Sequence, residues 1–391
     1  MTGQAIFPNW PEGHGPRLAH WLVETRLPAQ VKQNVERICR SEDVRHVALM
    51  PDLHLGRLAN NGTAVATTNL IYPEAIGKDI GCGFSTIAFD GNAERLREAE
   101  TASEVIAALY RVVPALKQRG ALDLPESLAA RPLSDASLVR KSQRDGAHQQ
   151  GTLGCGNHFV EVQEDQSGRL WLMVHSGSRA MGQYISDFHL DQASASKTGL
   201  RFLDLRTPAG RHYFQDMEWA IQYATNNRLA IMAHVAELLE ERLGLQTDQS
   251  SYLDSPHNFA RQEEHFGRIW IVHRKSAASA RAGELGLIAG SMGTTSFIVS
   301  GRGNPDALHS SAHGAGRLMG RQEARRRIRP RDLQRQLGRV HYDPGQLEAL
   351  RDEAPAAYRD IRAVMRAQQE LTRQVACLTT LLSFKYPDPR N

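Results

Sequence analysis

Asp79 and Cys82 stand three residues apart in the glycine-bounded stretch GKDIGCG (77–83), a spacing that lets a carboxylate and a thiolate converge on one cation from a single turn. Three histidines in other glycine-flanked or loop segments extend the set: His158 in GTLGCGNHFVE (151–161), His175 in VHSGSR (174–179), and His257. One carboxylate, one thiolate and three imidazoles suffice for one closed site, or for two ions bridged by the thiolate. On softness alone the thiolate favours zinc, because manganese and magnesium prefer oxygen. Read singly, each histidine fits a surface or core position, Cys82 fits a small buried apolar residue, and spacing does not show that the five meet. His313 in SSAHGAGR (310–317) is a different signal. Small residues beside an imidazole leave room for a nucleotide, Arg317 and Arg321 can neutralise its phosphates, and an imidazole so placed can attack phosphorus. A tight turn with an incidental histidine fits the same residues. GSMGTTS (290–296) offers backbone amides to a phosphate but lacks the GK[ST] ending of a P-loop.

These residues fall between elements that must hold them. Arg45 to Leu49 reads as a short buried strand, and Gly56 to Gly83 as strands joined by loops. Leu170–His175 and Ile269–His273 read as further strands. Residues 93–119 carry helical periodicity that Pro114 breaks or kinks. Residues 214–243 give the strongest helix, ended by Gly244, and 354–370 give a second clear one. Helices and strands alternate without a regular βαβ rhythm, and no linker or repeat divides the chain. The expectation is an α+β fold in one large domain over 1–391.

Composition bounds the rest. The 391 residues are 41% hydrophobic and 23% charged, which excludes a disordered or fibrous chain. No apolar run approaches the roughly 20 residues of a membrane helix, and the N-terminal MTGQAIFPNWPEGHG lacks a signal peptide's pattern. Cys39, Cys82, Cys155 and Cys377 form no CxxC pair, so a cytoplasmic protein with reduced thiols is expected. Net charge is only +4, yet nine arginines lie between His313 and Val340 against Glu323 and Asp332. That excess suits a phosphate-bearing partner; a solvated helix face is the bland alternative.

Taken in order, MPDLH (50–54), DIGCG, GNHFVE, HSGSR, His257-Asn258, HRK (273–275), GSMGT, HGAGR, EAPAAYRDI (353–361) and the late Lys385 resemble the RtcB family of GTP-dependent RNA ligases across most of the chain. The resemblance implies mixed sheets and helices around a deep metal-lined cleft. It also implies an activity: joining RNA ends that bear a 3′-phosphate or 2′,3′-cyclic phosphate to ends that bear a 5′-hydroxyl, through a guanylyl-histidine. By the same resemblance Cys82 bridges two manganese ions, with Asp79 and His158 on one and His175 and His257 on the other, which replaces the zinc expectation. His313 matches the guanylylated histidine. Asn157, Glu161, Ser291, Ser296, Ala315, Gly316, Tyr358 and Lys385 match positions that line the GTP, with Glu161 suited to accept from the guanine edge. Asp52, Arg179, Asn258, Lys275, Arg317 and Arg321 match polar cleft positions for phosphates and RNA ends. Asn227-Arg228 also matches, for structure or for RNA contact.

Several loops depart from the family pattern. RLANNGTAVAT follows MPDLHLG, Ser276 stands after HRK where glycine is usual, Gly320 where serine is common, and SFKY closes a segment that usually ends in lysine-glycine. These departures suggest a divergent paralogue, of the group linked to release factor H that mends damaged ribosomal RNA, rather than the form that seals transfer RNA. An archease-like activator is a possible partner in either case. The alternatives are a metal-dependent cyclic phosphodiesterase, against which His313 argues, and a catalytically silent RNA-binding relative, against which the intact ligand set argues.

Overall fold

The computed structural model describes residues 15–387; residues 1–14, within the stretch inspected for a signal peptide, and 388–391 lie outside the described residues. The strand expected at 45–49 runs further, from Val44 to His54. Its alternation does not separate core from solvent. Val47 and Leu49 point into one apolar cluster with Val31, Val35 and Ile38 of the helix Ala29–Cys39, while Ala48 and Met50 point into another with Val272, Ala312 and Ile361. A strand covered on both faces reads as a continuous apolar run, as this one does.

That strand is second in a five-stranded sheet ordered Arg17–His20, Val44–His54, Asn61–Thr67, Arg268–Lys275, Asn258–His265. A seven-stranded sheet carries the rest, in the order Gln246–Pro256, Gly83–Asn92, Arg169–Ser176, Phe159–Asp165, Thr372–Phe384, Ser296–Gly301, Leu285–Ile288. All of its pairings are antiparallel. The strand nearest the C-terminus therefore lies in the middle of the sheet. The mixed α+β architecture is the expected one, with several sheets and helices in one domain.

The long helix starts earlier than its apolar periodicity suggests, spanning Pro208–Leu243. Thr207 caps it by accepting from the Gly210 N–H, and Gly244 ends it in the left-handed conformation. Its C-terminal half packs Ile231, Val235 and Leu239 on Val160, Leu172 and Val174 of the seven-stranded sheet, and its N-terminal half packs Met217 and Tyr223 around Ile80 and Met181. One expectation holds with narrower bounds and one is corrected. Over 93–119 a short 3₁₀ turn, Glu94–Arg97, precedes a helix that stops at Val112, because the residue before Pro114 is driven out of helical geometry. Over 354–370 only Ile361–Ala367 is α-helical, after a separate 3₁₀ turn at Pro355–Ala357. The Asp360 side chain caps the Arg362 N–H at 2.9 Å, which starts the helix there, and Tyr358 before it is extended. No helix among the described residues is long and apolar enough to cross a membrane.

Candidate metal and nucleotide site

The turn at Asp79–Cys82 is closed by the Cys82 N–H donating to the Asp79 carbonyl at 3.2 Å, with Gly81 at φ 72°. A Cβ at Gly81 would come within 2.7 Å of the Ile221 backbone, so only glycine lets this loop seat on the long helix. The turn presents Cys82 to two groups of ligand atoms, Cys82–His175–His257 and Asp79–Cys82–His158, each with its atoms within 4.8 Å of one another. Cys82 Sγ lies 3.2 Å from His175 Nε2 and 3.5 Å from His158 Nε2, and the latter is 3.0 Å from Asp79 Oδ2. His158 Nδ1–H donates to the Leu153 carbonyl and His175 Nδ1–H to that of Asn157, both at 2.9 Å. A carbonyl only accepts, so each proton sits on Nδ1 and each Nε2 lone pair faces the thiol.

The donor set fits cations. Burial, with the Asp79 carboxylate beside it, pushes the Cys82 thiol up; burial and the neighbouring imidazoles push His175 and His257 well down. His257 Nδ1 is buried with no hydrogen-bond partner. Imidazole lone pairs kept free of protons, packed around a thiol that gives up its proton on binding a metal, are what a divalent ion takes up.

Two adjacent residues in the middle of the long helix fasten the loops that carry these ligands. Asn227 Oδ1 accepts from the Gly151 N–H at 2.8 Å, and its amide donates to the Thr152 carbonyl and the Ser176 hydroxyl at 3.1 and 3.0 Å. Arg228, fully buried, donates to the Gly81 and Ser176 carbonyls at 2.8 and 3.1 Å and forks onto Asp254 at 2.8 and 2.9 Å.

His313 stands over the cluster, its ring centroid 4.6 Å from that of His257. Phe84 is the shared apolar wall, 4.4 Å from His175, 5.0 Å from His257 and 6.2 Å from His313. His313 Nδ1 lies 2.7 Å from Asp52 Oδ2, which also accepts from the backbone N–H groups of His313 and Gly314. The imidazole proton is thereby held on Nδ1, and Nε2 keeps its lone pair. Asp52, expected among groups that meet phosphates and RNA ends, is instead fully buried behind His313. There its negative charge faces an N–H donor rather than a phosphate.

Both features open on a cavity of about 380 Å³. Asn157, Glu161, Ser291, Ala315, Gly316, Arg317, Arg321, Tyr358, Lys385 and Asn258 all line it, with Asp79, Cys82, His175, His257 and His313. Ser296 sits beneath the 290–296 loop, its hydroxyl accepting from the Gly290 N–H at 3.1 Å. Lys275 and Arg179 do not line the cavity. The Lys275 ammonium donates to the Ala59 and Glu74 carbonyls, and burial brings its pKa down to about 8. Arg179 donates to Thr152 Oγ1 and the Ala115 carbonyl beside the Gly151–His158 loop. Asn258 donates to the Asp79 carbonyl at 3.0 Å, bracing the ligand turn from the far side.

The cavity's basic wall is organised by a residue that motif reading did not single out. Buried Glu353 accepts from Arg317 at 3.2 Å, Tyr358 at 2.7 Å, Lys385 at 2.9 Å, and Arg321. Burial would raise its carboxyl, but Lys385, Arg321 and Arg317 outweigh that and hold it well below the usual range. Asp352 beside it takes Arg321 and Arg325 at 3.1 Å each. Three of the nine clustered arginines are therefore spoken for by acids outside their window, and Arg329 and Arg335 pair with Asp332. The segment 353–361 was marked, but an acid's partners lie outside its local sequence; Phe84 had no sequence signal at all. Opposite, burial raises Glu161 to about 7 against the pull of Lys385; Gln163, Thr380 and Ser383 donate to it at 2.9–3.2 Å.

Comparison with known proteins follows the same path. A family described as "tRNA-splicing ligase RtcB" matches residues 34–131 and 126–386. "RNA-splicing ligase RtcB" of Escherichia coli strain K12 is 35% identical over 395 residues, covering 92% of this chain and 96% of its own. "RNA-splicing ligase RtcB2" of a second Escherichia coli strain is 30% identical over 358 residues, covering 85% and 86%. "tRNA-splicing ligase RtcB" of Pyrobaculum aerophilum is 27% identical over 440 residues, covering 90% and 89%.

Proposed function

The chain belongs to the RtcB family, and from that premise we propose that it is a GTP- and manganese-dependent RNA ligase, joining 3′-phosphate or 2′,3′-cyclic phosphate ends to 5′-hydroxyl ends. The observation that carries the proposal is His313: a histidine oriented by a buried carboxylate, within ring contact of a cation-type ligand cluster, in a cavity with a basic wall. Asp79, Cys82 and His158 would hold one ion and Cys82, His175 and His257 the other; such ions draw negative charge from phosphate oxygens.

The chain's own groups have assignable tasks. Cyclic ends are first opened by water to the 3′-phosphate. His313 Nε2 then bonds to the α-phosphorus of GTP and pyrophosphate leaves, while Asp52 offsets the positive charge that the alkylated-type imidazole ring gains. The guanylyl group passes to an oxygen of the RNA 3′-phosphate, and the 5′-hydroxyl finally displaces GMP to form the phosphodiester. A phosphomonoester has no adequate leaving group of its own, which is why the guanylyl step is needed. Glu161 accepts from the guanine edge, and Arg317, Arg321 and Lys385, gathered by the buried Glu353, meet the phosphates. Substrates would be structured RNAs with broken ends, ribosomal or transfer RNA, in a reducing cytoplasm; an archease-like partner would accelerate the guanylyl step.

The test is incubation with α-labelled GTP and manganese followed by denaturing separation, with His313→Ala and Cys82→Ala in parallel. Label on the wild-type chain that is absent from both variants supports the reading. An unlabelled wild-type chain, with manganese bound and an archease-type activator present, would overturn it.

A further inference from the structure

A second concavity, of about 730 Å³, lies outside the reaction cavity, between the helix Ile361–Ala367, the buried strand Ser296–Gly301 and the exposed first half of the strand Thr372–Phe384. Four arginines line it: Arg302, Arg362, Arg366 and Arg373, all exposed. Among the described residues no carboxylate pairs with Arg302, Arg362 or Arg373, and Arg366 has only Asp360, at 3.8 Å in an exposed contact. Its remaining lining is uncharged. Phe297, itself buried, and Met365 are its apolar members, and threonine, glutamine and Cys377 side chains supply the rest.

This contrasts with the arginine run that the sequence displays. There the guanidinium groups mostly meet acids. Here four of them, from three separate stretches of chain, surround one depression with almost nothing to neutralise them. Like charges gathered around a concave wall raise the local potential and draw in a polyanion. The groove is also joined to the reaction cavity through one short loop: Ser291 and Met292 line the cavity, and Thr295, four residues on from Ser291, lines the groove.

We propose that this groove is a second RNA-binding surface, which holds backbone phosphates at a distance from the ends being joined. The proposal rests on the ligase reading for its choice of polyanion. Guanidinium forks grip phosphate oxygens without reading sequence, and the half-buried Met365 offers apolar contact to a sugar or base. The surface thereby favours a structured RNA that reaches past the cavity over a short oligonucleotide that only fills it.

The experiment compares the wild type with the R302Q/R362Q/R366Q/R373Q variant and with the two pairs R302Q/R373Q and R362Q/R366Q. Binding of a fluorescent broken stem-loop RNA is followed across salt concentrations. Four phosphate contacts at about 0.7 each would lower the log–log salt slope by up to about 3 in the full variant and by about half of that in each pair. A short oligonucleotide confined to the ends should bind all forms alike. GTP labelling of His313 serves as the independent readout and should not change, so a failure of the ligase reading, seen as no label in the wild type, is separable from a failure of this one. An unchanged slope in the pairs, or equal losses for the short and long RNA, would overturn the proposal. An acidic protein that competes in this groove while RNA binding is unaltered would do the same.

Discussion

Replacing Asp52 by asparagine keeps the shape of the group behind His313 and removes its charge. The amide oxygen can still accept from His313 Nδ1 and from the two backbone N–H groups that now meet Oδ2, so the ring's orientation and tautomer should survive. What is lost is the charge that balances the ring once Nε2 has bonded to phosphorus. With Asp52 fully buried and the contact at 2.7 Å, the positive charge spread over the ring sits about 4 Å from the carboxylate. At an effective dielectric constant of about 20 that is worth about 4 kcal/mol, or roughly 10³-fold in rate. Single-turnover labelling with α-labelled GTP measures the step directly, alongside GTP affinity and manganese content. The expected outcome is guanylylation slowed by 10²- to 10³-fold, with affinity and metal content within a few-fold of wild type. A loss below about fivefold, or a parallel loss of metal, would refute the charge-balancing role.

Three further outcomes follow from buried charge. Glu161, raised to about 7, must ionise to accept from guanine N–H groups, so GTP affinity should rise about tenfold between pH 6 and 8 and flatten in Glu161→Gln, as measured by titration calorimetry at each pH. Folding linkage has the opposite sign: the native state holds this proton where the unfolded chain has lost it, so the Glu161 contribution to stability declines as pH rises from 4.5 through about 7. Arg228→Met leaves Asp254 without its fork and the Gly81 and Ser176 carbonyls without a donor, and should lower stability by about 3–5 kcal/mol, with weakened cation binding; a urea midpoint equivalent to less than 1 kcal/mol would contradict this.

The candidate ligand types were legible in the sequence because chemistry selects few residues: a thiol, an acid and three imidazoles beside glycines are kinds that could hold cations, although each alone also fits an ordinary position. Their convergence was not legible, since Cys82 and His257 are brought together by pairing of Gly83–Asn92 with Gln246–Pro256. The same limit applied to charge. The run from Arg317 to Arg339 stood out as a block, yet Asp352 and Glu353, beyond its end, take up Arg317, Arg321 and Arg325. The arginines at 302, 362, 366 and 373, of which only Arg366 meets a carboxylate, were too scattered to register. Helical periodicity located the long helix and misjudged 354–370, where Asp360 competes with the backbone and begins the helix late.

The place of the strand Thr372–Phe384 has a consequence for how the protein is made. It lies between Phe159–Asp165 and Ser296–Gly301, so two parts of the sheet that leave the ribosome early cannot close against each other until it arrives. Translation from Gly83 to Phe384 takes roughly 15–60 s at ordinary elongation rates. Until that strand is made, the wall that carries Glu161 lacks the neighbours Thr380 and Ser383, and Glu353 lacks Lys385. A nascent chain halted before residue 372 would carry the Asp79, Cys82, His158, His175 and His257 cluster and His313 yet lack Thr380, Ser383 and Lys385, so premature termination yields a product whose cavity wall is unfinished.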